Sequence, residues 1–146
     1  MTEKVLVGGS REPTYQMKTA CWRYLAGLTK TNPHLISGGA IGIDAIVEQA
    51  AKLFHMKITV CKPDYEKHPP KVAPLKRNEQ MAKACDRAAF FWDGQSRGTW
   101  HAIQAVRKLG KPLDVFVLEH KVEDPSTLKL LNPHVGRMPR KEVPLL

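Results

Sequence analysis

Three short stretches hold the residues whose types and spacing can do chemistry. They are GGSR (Gly8, Gly9, Ser10, Arg11), SGGAIGID (Ser37, Gly38, Gly39, Ala40 and on to Asp44), and DGQSRGT (Asp93, Gly94 and then Ser96, Arg97, Gly98, Thr99). Glycine lets backbone N–H groups come close to an anion, and a helix N-terminus adds unpaired donors and partial positive charge. The four hydroxyls add donors, and Arg11 and Arg97 supply charge-assisted bonds to phosphate or carboxylate. Any one such loop equally serves as a tight turn into a helix. Three together point to a phosphate-bearing ligand. Asp44 and Asp93 each have two readings. Asp44 either caps a helix or grips a ribose hydroxyl, and Asp93 either builds an Asp-Gly turn or faces the ligand. The GxGxxG fingerprint of standard NAD dehydrogenases is absent.

The surrounding pattern sets these loops in order. Apolar runs at Lys4–Gly8, His34–Ser37, Met56–Cys61, Arg87–Trp92 and Pro112–Leu118 read as strands. Helical spacing covers Tyr15–Leu28, Ile43–Phe54, Val72–Cys85 and Thr99–Leu109. Strands alternating with helices predict an α/β, Rossmann-like open sheet of five parallel strands with helices on both faces. With strand order 3-2-1-4-5, the strand-to-helix loops share the C-terminal edge, where ligands bind at the switch point between strands one and four. Residues 1–118 form the expected domain. Residues 119–146, polar and carrying prolines 125, 133, 139 and 144, read as an irregular tail with one short helical turn around Ser126 to Leu131.

Composition bounds the class. The chain has 146 residues, 42% hydrophobic and 25% charged, which suits one globular domain. No apolar run reaches bilayer length and the N-terminus does not read as a signal peptide, so the expected location is the cytoplasm, with no membrane partner. Three scattered cysteines show no zinc spacing, and neither metal nor cofactor is expected. The net charge of +9 favours anionic partners, with nucleic acid the lesser candidate.

The run GGSR, LISGGAIGIDAIVEQAA and PLKRNEQMAKACDRAAFFWDGQSRGTWHAI resembles the SLOG superfamily of Rossmann-like domains, and within it the YspA/YpsA-related branch, over residues 5 to about 117. The resemblance implies a site for nucleotides or nucleotide-derived molecules. Relatives include phosphoribohydrolases of the LOG type, DprA-type DNA-processing proteins and ligand sensors. The LOG Arg-Lys-x-x-Met pattern falls on Arg77, Asn78 and Met81, and its Gly-Thr on Gly98 and Thr99. The glutamate three residues further on is replaced by Ala102. Glycosidic cleavage needs a carboxylate, so no catalytic residue is assigned.

Arg77 reads as a phosphate clamp early in its helix, with Asn78 beside it. Trp92 and Trp100 each either stack on a base or belong to the core. His101 and Glu79 have surface or structural roles as their first reading.

The leading expectation is a sensor or sequestering protein for an ADP-ribose-like or cyclic nucleotide signal, with a homodimer possible. The alternatives are a LOG-type N-glycosidase and a DprA-like DNA binder. The enzyme would release free base, and the DNA binder would show steep salt dependence.

Overall fold

The computed structural model describes residues 2–117. The elements alternate as β1 (Lys4–Gly9), α1 (Tyr15–Leu28), β2 (His34–Ser37), α2 (Ile43–Leu53), β3 (Ile58–Val60), α3 (Ala73–Ala84), β4 (Arg87–Trp92), α4 (Arg97–Lys108) and β5 (Leu113–Val117). All pairings are parallel and the sheet order is β3-β2-β1-β4-β5. The expected tail and its helical turn lie outside the described residues.

The central strands are apolar on both faces, as a covered parallel sheet requires. Val5 and Val7 join one cluster with Met17, Leu25, Ile43, Val47 and Phe91, beneath α1 and α2. Leu6 points the other way, into a second cluster with Met81, Phe90, Trp92, Ile103 and Val106 beneath α3 and α4. Alternation along β1 and β4 therefore builds a three-layer sandwich from two cores. Phe91 stacks on Phe116 at 4.9 Å, and Tyr24 meets both rings edge-on.

Local signals set the helix ends. The Thr14 Oγ1 accepts from the Met17 amide at 3.2 Å and caps α1. At the far end of α3 the Lys111 ammonium, from the α4–β5 turn, donates to the carbonyls of Ala82, Lys83 and Cys85 at 2.7, 2.8 and 2.6 Å. A cation there satisfies carbonyls that have no helical partner and suits the negative end of the helix.

Helix α4 starts two residues earlier than its apolar spacing predicts. The Asp93 Oδ1 accepts from the amides of Gln95 and Ser96 at 2.8 and 2.7 Å, which turns the chain at once. Arg97 and Gly98 thus belong to the first turn of α4 instead of a loop.

Candidate functional site

A cleft of about 400 Å³ opens at the C-terminal edge, where β1 and β4 lie side by side and their following helices diverge. Its floor is apolar: Leu6, Phe90, Met81 and Ala102. Of the expected residues, Gly8, Gly9, Arg11, Gly38, Ala40 and Asp44 line one part of it. Arg77, Asn78, Asp93, Ser96, Arg97, Gly98 and Thr99 line the rest.

Four expected residues do not line the cleft; they build its frame. Ser10 is buried. Its Oγ accepts from the Asp93 amide at 3.1 Å and lies 3.1 Å from the Ser96 Oγ, which itself donates to Asp93 Oδ1 at 2.9 Å. With that Ser96 proton committed, Ser10 is the donor to Ser96. The ring of bonds ties the end of β1 to the start of α4. Ser37, wholly buried, accepts from the Gly39 amide at 3.4 Å. Gly39 and Gly94 take positive φ, +70° and +79°, and serve turns.

Asp44 sits in the first turn of α2, 8% exposed. Its Oδ2 accepts from the Ala40 amide at 3.1 Å, while no hydrogen bond among the described residues reaches Oδ1. A Cβ built on Gly8 would lie 3.5 Å from that Oδ1. Burial pushes the Asp44 carboxyl above its ordinary value, against the opposing pull of the Ala40 amide and of Arg77.

Arg77 is largely committed to the protein. Its Nη1 donates to the carbonyls of Gly38 and, at 3.4 Å, Cys61, and its Nε to Asn78 Oδ1 at 2.9 Å. Only Nη2 is left for a ligand. Burial lowers its pKa, with Asp44 opposing. A Cβ on Gly38 would stand 2.8 Å from Arg77 Nη1 and 2.9 Å from Asp44 Oδ2, so a larger residue here would displace one of these groups. The Asn78 Nδ2 donates to the Gly98 carbonyl at 3.4 Å and lies 3.2 Å from His101 Nδ1, joining α3 to α4.

The helix N-termini differ. In α2 the Ile43 amide donates to Ser10 O at 3.1 Å, and Asp44 adds a carboxylate. In α4 the first turn carries no acid, and the amides at Arg97, Gly98 and Thr99 have no intrahelical acceptor. The N-terminus of α4 is therefore the end of the cleft with backbone donors left over, with Arg97 and Arg11 at hand.

One open reading closes. Trp92 is core: it is fully buried, donates from Nε1 to Ser96 O at 3.1 Å, and stacks on Trp100 at 5.2 Å. His101 lines a separate groove of about 190 Å³ between α3 and α4, with Glu79, and burial lowers its pKa. The apolar floor was not foreseen. Its signal was present in Met81 and Ala102, which fall on the turns of α3 and α4 facing the sheet.

A family model for DNA recombination-mediator protein A matches residues 1–73, half of the chain. The chain belongs to the DNA recombination-mediator protein A family. That agrees with the SLOG resemblance at superfamily level. No curated protein sequence matches the chain.

Among solved structures, DNA processing protein A from Helicobacter pylori, described for its single-stranded DNA binding mode, superposes with a TM-score of 0.68. It is 22% identical, over 92% of this chain and 74% of that one. The Streptococcus pneumoniae DNA processing protein A gives 0.66 at 20% identity, over 86% of this chain and 53% of that one. A molybdenum cofactor binding protein from Rippkaea orientalis gives 0.67 at 15% identity, over 82% and 78%. At these identities the likeness is one of fold.

Charge divides the family member's two sheet edges. The cleft lining is balanced, with Arg11, Arg77 and Arg97 against Glu12, Asp44 and Asp93. At the opposite edge Lys4 precedes β1's buried run and Lys57 precedes β3. Lys30 and Lys52 lie at the ends of α1 and α2, and Lys83 and Lys108 at those of α3 and α4. All six are exposed, and none pairs with a carboxylate among the described residues. The acids nearby are engaged: Glu3 with Arg87 at 3.1 Å, and Asp86 with the Lys4 amide at 2.7 Å. No helix among the described residues is long and apolar enough to cross a membrane.

Proposed function

We propose that the cleft binds a phosphate-bearing, nucleotide-derived small molecule, held without turnover as by a sensor or carrier. The observation that supports this best is the N-terminus of α4, whose first turn carries no acid and whose N-cap makes no side-chain bond, facing a cleft whose floor is apolar and whose rim carries Arg11 and Arg97. A phosphate takes the α4 amides and the arginines, and a base or similar flat ring covers Leu6, Met81 and Phe90. The finer resemblance to the YspA/YpsA-related branch belongs to this reading. The LOG-type hydrolase is the weaker one, since Ala102 lines the cleft where a glutamate would be expected.

The test is calorimetric titration with AMP, ADP and ADP-ribose, with chromatography of the same mixtures for free base. The reading expects binding, weakened about tenfold or more by Arg97→Ala, and no base release. Release of base would establish the hydrolase instead.

Nucleic acid is the second reading, favoured by family membership and by the six unpaired lysines on the edge away from the cleft. Contacts to about six phosphates give an affinity falling with a log–log salt slope of roughly −4 to −5. Oligonucleotide binding that is lost in Lys57→Glu/Lys83→Glu/Lys108→Glu but kept in Arg97→Ala supports it. The reverse pattern would put the strand in the cleft.

A further inference from the structure

We infer that Asp44 Oδ1 is a hydroxyl-accepting subsite that makes the cleft select ribonucleotides over deoxyribonucleotides. The inference rests on the small-molecule reading above and adds the sugar class to it.

Asp44 is 8% exposed as a residue, and the two oxygens of its carboxylate have different fates. Oδ2 is held by the Ala40 amide and stands across Gly38 from Arg77 Nη1. Oδ1 has no hydrogen-bond partner among the described residues and lies 3.5 Å from where a Cβ on Gly8 would stand. Asp44 lines the cleft and its Oδ1 is not sealed from solvent, so a ligand hydroxyl can take the place of water on that oxygen. The α2 N-terminus does not complete it, since the one local amide reaching the carboxylate is that of Ala40, on Oδ2.

The complement of a single free carboxylate oxygen is a single donor. Phosphate is excluded there because it would bring like charge to the carboxylate. Base, sugar and phosphate are joined in that order in a nucleotide. With phosphate at α4 and a ring on the apolar floor, the group left to face Asp44 is the sugar. A ribose offers a 2′- and a 3′-hydroxyl, and a deoxyribose offers one fewer. A site built around a buried polar group rejects the analogue that lacks its partner more strongly than an apolar site rejects an added group.

The experiment titrates AMP, 2′-deoxy-AMP and 3′-deoxy-AMP into the full chain and into Asp44→Asn. Asparagine keeps the shape and can still accept from the Ala40 amide. The wild type should bind one deoxy analogue about 10- to 100-fold more weakly than AMP, the range for a hydrogen bond to a charged group. In Asp44→Asn AMP itself should weaken by a similar factor, and the gap between AMP and the analogue should close. Equal binding of all three, or a ribose preference that survives Asp44→Asn, overturns the subsite and leaves the cleft reading standing. Failure of every nucleotide to bind the wild type overturns both.

Discussion

Replacing Ser10 by alanine separates frame from ligand contact. The hydroxyl is buried, 1% exposed, and joins the end of β1 to the start of α4 through Asp93 N and Ser96 Oγ, each at 3.1 Å. Alanine removes both bonds, the one to the Asp93 amide and the one to Ser96 Oγ. Losing a buried partner costs about 1–3 kcal/mol, so the central expectation is about 2 kcal/mol. That is a factor of roughly 30 in the folding equilibrium, and a Tm drop of about 8 °C for a chain of this length. Urea unfolding followed by tryptophan fluorescence measures it, with a midpoint shift near 1 M. Nucleotide affinity should fall only modestly, because Ser10 does not line the cleft. The reasoning is refuted if Ser10→Ala keeps wild-type stability while losing the ligand, since the hydroxyl would then be a ligand contact.

Two more substitutions probe stability. Asp44→Asn should raise Tm at pH 7, because burial holds the carboxyl above its ordinary 3.8 and ionising it in the folded state is unfavourable. A raised acid binds more protons folded than unfolded, so its penalty is full above the folded pKa and vanishes below 3.8; the Tm advantage should shrink to nothing near that value. The groups facing Asp44 are Arg77 from α3, Arg11 from the β1–α1 loop, Glu48 on its own helix and Cys21 from α1. An unchanged gap across the pH range would show that its charge is not the cause. Lys111→Met keeps the alkyl stem and removes the ammonium from three carbonyls. Its partial exposure limits the loss to about 1–2 kcal/mol, and fraying of α3 should appear as faster amide exchange at Met81 to Cys85. Wild-type exchange there would contradict the clamp.

Much of the fold was legible because buried parallel strands write their pattern plainly. Val5 to Val7 and Ala88 to Trp92 are unbroken apolar runs, and the α1, α2 and α4 spacings point their apolar faces at the sheet. Strand order followed from crossover rules, given short connections. Helix boundaries were less legible: the start of α4 depends on the Asp93 turn, a side-chain-to-backbone bond that periodicity does not encode. In the candidate site the loops were visible as glycine and serine. Which of them frame the cleft and which line it was not, since Ser10 and Ser96 are alike in type and differ only in where the strand ends. Arg77 shows the same limit. Its charge was readable, but its commitment to the Gly38 and Cys61 carbonyls arises from chain segments far apart in sequence.

On the proposed function, the cleft at the β1–β4 switch point takes a phosphate-bearing nucleotide on the N-terminus of α4. Amide chemical-shift mapping during titration with AMP tests it most directly. Saturable shifts should concentrate at Gly8, Gly9, Ala40, Gly98 and Thr99, with smaller changes at the opposite edge around Lys57 and Lys83. Shifts confined to that opposite edge, or none at millimolar AMP, would contradict it.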